Sequence, residues 1–174
     1  MVVVLVIVLL FIVFSFIKPQ DIVQSLGVRN SYLVLFLIGL IGGASSLTSS
    51  SYYAAIVTFA VSGLNPVIIA FVAGTALFIG DSVFYRIGMW GRDHISGRAL
   101  RFAQKLTRYV EGKSRRFVQV FIYLYTGFSP FPADILMISL SFVRFPYLSF
   151  MIPGFMGSVT FAFLLAFLAA AGGV

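Results

Sequence analysis

The sequence predicts an all-α integral membrane protein built as an inverted repeat, each half a re-entrant helical hairpin followed by a transmembrane helix. Three observations predict it. Hydrophobic residues make up 60% of the chain and charged residues only 10%, and several apolar runs are too long for a water-soluble core. Residues 45–88 and 125–168 follow one pattern: an apolar run, a break, a second apolar run, then a proline opening a longer span. Pro66 echoes Pro146, Gly74 echoes Gly154, and Ser49-Ser50-Ser51-Tyr52 falls opposite Ser129-Pro130-Phe131-Pro132, at an offset of 80 residues. Finally, the net charge of +7 lies in a single connector between these halves. Broken hydrophobic segments recurring in both halves of a membrane chain point to a binding site near the bilayer midplane.

The 174 residues allow one membrane domain with roughly five or six embedded segments, at about 20 residues per span. It divides into an N-terminal span and connector (1–31), a first repeat (32–91), a basic amphipathic helix (92–116) and a second repeat (117–174). The absence of cysteine excludes disulfides, thiolate metal sites and a cysteine nucleophile. His94 is the one histidine, the five carboxylates lie mostly at segment edges, and no nucleophile motif or metal-ligand spacing appears. We therefore expect no enzyme activity, no cofactor and no metal.

Taken in order, residues 2–17 form an uninterrupted apolar run ending at Lys18-Pro19, read as a retained first span because neither a basic leader nor a small-residue cleavage site flanks it. Residues 18–31 form a polar connector with Asp21 and Arg29. Residues 32–44 are apolar but too short to cross, and after the Ser/Thr cluster residues 52–61 are shorter still. Either one long helix runs through the Ser/Thr cluster, whose hydroxyls can bond back to their own backbone, or the pair forms a hairpin that enters and leaves on one side. The hairpin is favoured because the other half breaks at the same place, and its irregular backbone then needs shielding by protein or water because unpaired amides in hydrocarbon cost several kcal/mol. Residues 66–87 span the bilayer, with Pro66 at the start, where its missing N–H is harmless, and small residues at Ala70, Ala73, Gly74, Ala76 and Gly80 for close helix contact within one chain or between chains of a homo-oligomer. Asp81 and Arg86 lie five apart, so each faces its own surroundings.

Nine of the twelve basic residues, Arg86, Arg92, Arg98, Arg101, Lys105, Arg108, Lys113, Arg115 and Arg116, fall within residues 86–116. The positive-inside rule makes this segment cytoplasmic, and its charge draws it to anionic headgroups. Ile95, Ala99, Phe102, Ala103, Leu106, Tyr109 and Val110 recur at helical spacing opposite the basic residues, as in an amphipathic helix lying in the interface. Nucleic acid is not the expected partner, since the charges are no denser than topology and lipid contact require. Residues 117–128 are a second short apolar run. Pro130 and Pro132 then force a break, because neither can continue a helix. Asp134 opens the run 135–143, where a carboxylate either caps exposed amides or, being costly at membrane depth, carries a proton or meets a cation. Arg144-Phe145-Pro146 turns the chain into the last span, 147–171.

Gly63-Leu64-Asn65-Pro66, Gly80-Asp81, Tyr85-Arg86-Ile87-Gly88, Pro130-Phe131-Pro132-Ala133-Asp134 and Arg144-Phe145-Pro146 resemble, in order and spacing, the DedA family, also called the VTT domain or SNARE-associated Golgi protein family. The resemblance covers residues 32–171. It implies two re-entrant hairpins facing each other and a role in moving lipids across the cytoplasmic membrane, as a flippase or scramblase supporting membrane homeostasis. Bacterial members are associated with recycling of polyprenyl-phosphate carriers, and eukaryotic relatives with phospholipid scrambling. This sequence departs from many bacterial members in having no acidic residue in the first hairpin and no arginine beside the proline motif. The expected lipid contacts are Asp134 for a proton or cation, Arg86 and Arg144 for a lipid phosphate, and Ser49, Ser50 and Ser51 as polar lining. The partner is a membrane lipid, a polyprenyl phosphate or an anionic phospholipid. The alternative is a scaffold that recruits anionic lipid or protein through the basic helix and transports nothing.

Overall fold

The computed structural model describes residues 19–42, 49–92, 112–129 and 133–172. These are helical: α1 (Pro19–Gly42), α2 (Ser49–Val61), α3 (Pro66–Arg92), α4 (Arg115–Phe128), α5 (Ala133–Phe142) and α6 (Tyr147–Gly172). Two segments, Pro66–Gly91 and Tyr147–Gly172, are 26 residues long with mean hydropathy 2.1 and 2.0. At about 1.5 Å per residue each reaches roughly 39 Å, more than the ~30 Å hydrocarbon layer. Length and composition are thus compatible with a membrane protein. The expected first span, the core of the basic helix, Pro130 and Pro132 lie outside the described residues.

Several boundaries differ from the sequence reading, each for a local reason. The connector expected over 18–31 is helical from Pro19, interrupted at Gly27 (φ 74°, ψ 160°). Glycine reaches that region without a Cβ clash, and the Ser31 hydroxyl donates to the Gly27 carbonyl at 3.0 Å, so the interruption is a kink. Ser49, Ser50 and Ser51 are not a break; they form the first turn of α2. Serine is tolerated there, whereas proline is not tolerated in a helix interior, and α5 starts only after Pro132. Arg115 and Arg116 belong to α4, because Ser114 caps that helix by accepting from the Phe117 N–H at 3.2 Å.

α2 and α5 end alike. Gly63 (φ 88°) and Arg144 (φ 54°) take the left-handed conformation. Leu64 N–H then donates to the Phe59 carbonyl at 3.2 Å, and Phe145 N–H to the Leu140 carbonyl at 3.1 Å, as in a Schellman stop. Aligning these turns gives an offset one residue longer than the prolines suggest. Asn65 then caps α3 by accepting from the Val67 N–H at 2.9 Å, while the Pro146 carbonyl starts α6 by accepting from Ser149 and Phe150.

The antiparallel pair α3/α6 is the most extensive packing in the fold. Phe78 meets Phe155, and Tyr85 meets Tyr147. Where they come closest, a Cβ added to Gly74 would lie 2.7 Å from the Val159 Cα. α1 runs alongside α3, with Gly39 against Ala76, and α4 alongside α6, with Gly127 against Gly157. The short helices cross over: α2 lies on α6, where Tyr53 meets Phe161, and α5 lies on α3, where Ile138 and Ser141 abut Gly88. α1 and α2 are antiparallel, since the Tyr32 hydroxyl at one end accepts from the Asn65 N–H at 3.1 Å while Gly39 and Tyr52 meet at the other.

Pro153 falls inside α6 without ending it. Its missing N–H frees the Ser149 carbonyl, which accepts from Gln119 Nε2 of α4 at 3.1 Å, while Arg115 donates to the Ser149 hydroxyl. Outward, the bundle exposes Phe71, Val83 and Ile87 on α3, Val120 and Leu124 on α4, and Leu148 and Ile152 on α6. An apolar surface of this extent is costly in water and compatible with lipid.

Two predictions follow from this packing. Gly74→Ala should cost about 1–3 kcal/mol because the added methyl meets backbone, whereas Gly127→Ala, whose Cβ would sit 3.4 Å from Gly157 Cα, should be near neutral; thermal unfolding in detergent checks both. Gln119→Leu should cost about 1 kcal/mol in the native chain and clearly less in Pro153→Ala, where residue 153 regains an N–H for Ser149; equal costs in the two backgrounds would refute the shared carbonyl.

Candidate functional site

Starting from the sequence, five residues of helix turn a side chain through about 140° beyond one full turn, so Asp81 and Arg86 cannot face the same way. Asp81 points inward and is 2% exposed, while Arg86 is exposed. Arg144 is exposed too, on the turn between α5 and α6. The two arginines come from opposite halves, yet their neighbours are joined: the Tyr85 hydroxyl donates to the Phe145 carbonyl. Both therefore stand at the end of the bundle where α3 finishes and α6 begins.

Other cations gather there. Lys113, Arg115 and Arg116 are exposed at the start of α4, with Lys113 Nζ 5.6 Å from the centroid of Phe117, a cation–π distance. Trp90, 70% exposed, lies at the same end, with the amphipathic ring typical of a headgroup level. Among the described basic residues, only Arg29 sits toward the other end, on the α1 segment beside the Tyr32–Asn65 contact. Behind the cationic end an aromatic plug closes the interior. Tyr85 stacks on Phe150 (5.8 Å, 3°), Phe150 contacts Phe78 at 5.6 Å, and the Tyr147 hydroxyl donates to Ser82 Oγ at 3.0 Å.

The remaining expected site residues are elsewhere. Ser49 opens α2, with Ser50 exposed and Ser51 half-buried in its first turn. Asp134 is the second residue of α5, one position inside the helix rather than ahead of it. The expected set is thus split between a cationic end and the starts of the two short helices, near the level where Gly39 and Tyr52 pack on Ala76. Pro130 and Pro132 lie outside the described residues.

Two features escaped the sequence reading. The first is the burial of two polar side chains, Asp81 on α3 and Tyr52 on α2, which are 2% and 0% exposed. Its only sequence signal was a carboxylate five residues from an arginine within an apolar span. The second is an outward-facing groove of about 310 Å³ between α4 and α6, lined by Gln119, Val120, Tyr123, Ile152, Pro153 and Met156. Its walls are mainly apolar, and the Tyr123 hydroxyl lies 3.4 Å from Thr160 Oγ1. Among the described residues no cluster of three or more metal-type side chains occurs.

No family model matches the sequence, and neither curated proteins nor solved structures yield a match to it. The site defines a class in physical terms only: a helical bundle with an apolar outer surface, one cationic end, and a carboxyl held in its interior.

Arg144 is the one described non-glycine residue with positive φ. Arg144→Gly should raise stability by about 1 kcal/mol by relieving the left-handed strain, and Arg144→Val should lower it; chemical denaturation in micelles distinguishes the two.

Proposed function

We propose that this chain is a DedA-like membrane transporter that moves a lipid, or a lipid-phosphate carrier, across the bilayer. The observation that carries the reading is the packing pattern: exchanging α1, α2 and α3 for α4, α5 and α6 maps α1/α3 onto α4/α6 and α2/α6 onto α5/α3, and leaves the antiparallel α3/α6 pair in place. These three pairings are those expected of two hairpin-plus-span units inserted from opposite leaflets, the inverted-repeat arrangement of many transporters, although among the described residues the α1/α2 contact has no comparable α4/α5 counterpart. The matching left-handed stops at Gly63 and Arg144 support the same equivalence.

On this reading the cationic end faces the cytoplasm of a cell membrane. Arg86 and Arg144 engage the phosphate of an arriving headgroup by charge-assisted hydrogen bonds, and the groove between α4 and α6 accommodates apolar chain. Ser49, Ser50 and Ser51 supply hydroxyls that replace water along the path, since an unpaired polar headgroup in hydrocarbon costs several kcal/mol. Asp134 exchanges a proton or receives a cationic group. Arg86 stands on α3 and Arg144 on the α5–α6 turn at the same end of the bundle, so on this reading a phosphate between them is held from two sides.

Reconstitution in vesicles containing a polyprenyl phosphate or bulk phospholipid, with headgroups read by a membrane-impermeant reagent, tests the proposal. The native chain should raise the rate of headgroup exposure. Arg86→Gln combined with Arg144→Gln should slow it by roughly tenfold, equivalent to about 1.4 kcal/mol of lost phosphate contact, and Asp134→Asn should slow it independently. An unchanged lipid distribution with retained binding to anionic vesicles would instead identify a scaffold.

A further inference from the structure

The outward groove between α4 and α6 has two apolar walls and a recessed floor. Val120 stands exposed on one side and Ile152 and Met156 on the other, whereas Gln119 and Tyr123 are half-buried and Pro153 is buried. The polar groups of the floor are turned inward: Gln119 Nε2 donates to the Ser149 carbonyl at 3.1 Å, and the Tyr123 hydroxyl lies 3.4 Å from Thr160 Oγ1. What remains facing outward is mainly hydrocarbon, around a space of about 310 Å³.

Cations stand at one end of this groove. The helices run parallel, since Arg115 and Gln119 meet Ser149 at one end while Gly127 meets Gly157 at the other. Residues four apart on a helix stack with an axial rise of about 6 Å, so Arg116 lies one turn above Val120 and Arg115 one turn above Gln119. Arg115 spends one nitrogen on the Ser149 hydroxyl, and a guanidinium keeps further N–H donors. Arg116 is exposed. The run Lys113-Ser114-Arg115-Arg116 holds three cations and no carboxylate.

We propose that the α4/α6 seam binds an anionic phospholipid, with its phosphate at Arg116 and Arg115 and one acyl chain along the groove between Val120 and the Ile152–Met156 wall. A lipid presents the same sequence of chemistry along its length: charge at the headgroup level, then hydrocarbon. A zwitterionic headgroup brings its own cation, which the arginines repel, whereas a net-anionic headgroup meets attraction alone. Basic pockets between membrane helices select anionic lipids for this reason. The site rests on the membrane placement of the proposed function, and it gives the lipid in that groove a headgroup class and an anchor on α4.

Quenching of tryptophan by brominated acyl chains tests the site at equilibrium in vesicles. In the full chain, Trp90→Phe removes the one native tryptophan, Ile152→Trp puts a probe on the groove wall, and Val83→Trp puts a reference on the exposed face of α3. Brominated phosphatidylglycerol is mixed with unlabelled phosphatidylcholine, and then the labels are exchanged. At the Ile152→Trp probe the anionic lipid should bind roughly fivefold more tightly than the zwitterionic one. Arg116→Gln should remove most of that preference and Arg116→Lys should keep it, with neither change felt at the Val83→Trp reference. Met156→Trp, one turn deeper on the same wall, should report the same preference and replaces the first probe if that variant does not fold. Equal quenching by the two lipids, an unchanged preference in Arg116→Gln, or an equal change at the reference overturns the proposal. So does an absence of quenching by either lipid, the result expected where a second copy of the chain covers the seam. No lipid has to cross the bilayer in this measurement: transport without the preference removes the site and leaves the transport reading, and the preference without transport does the reverse.

Discussion

The approach of α3 to α6 is the constraint on which the other contacts depend. At Gly74 the backbone of Val159 occupies the space a side chain would take, so the two long helices meet by surface fit rather than by interlocking large side chains. In a lipid-like solvent that matters, because burying apolar groups gains little there and close van der Waals contact becomes a principal source of cohesion. The same economy recurs beside the crossing, at Gly39 on Ala76 and Gly127 on Gly157. With the central pair fixed, α1 and α4 are guided by these small residues, and α2 and α5 fill the remaining flanks on the opposite partner.

A second requirement shapes the ends of the elements: backbone groups released by a turn must find partners within the protein. Each stop is solved locally. Leu64 and Phe145 return hydrogen bonds to carbonyls of the preceding helix, Asn65 caps the next one, and Tyr32 reaches across to the Asn65 amide. Hydroxyls inside helices do the same by donating four residues back, as at Thr58, Ser62, Thr75, Ser82 and Thr160. Several hydroxyls among the described residues are thus consumed by the chain's own backbone, and among these residues the buried Tyr52 hydroxyl has no hydrogen-bond partner.

The elements that could be read from sequence are those with a steric cause. Pro66 and Pro146 mark the starts of the long helices because proline cannot sit deeper without cost. Gly63 marks a stop because its conformation favours glycine. The length of α3 and α6 follows from uninterrupted apolar runs, and the cationic end from clustered charges. Other features depend on a partner that sequence does not display. The last span reads straight through Pro153, but how the helix tolerates it shows only once Gln119 is seen donating to the freed Ser149 carbonyl, and the serines of α2 look like a break until the helix is seen to begin at Ser49. Arg144 gives no sign of its left-handed backbone. Asp81 was visible as a charge within a span, but its inward direction needed α2 laid against α3. The gathering of basic residues at one end was legible from their clustering; the burial of Asp81 and Tyr52 and the lateral groove were not.

The displaced hydrogen bond at Ser149 has a mechanical consequence. The first turn of α6 has lost one rung of its own ladder and gained two ties to α4, through Gln119 and Arg115. Under load, the weakest cross-section of that rod lies at Pro153, within the helix, and not at either flanking turn. The piece that would swing together comprises the opening of α6 and the base of α4, with Tyr147 and the stacked rings riding on it.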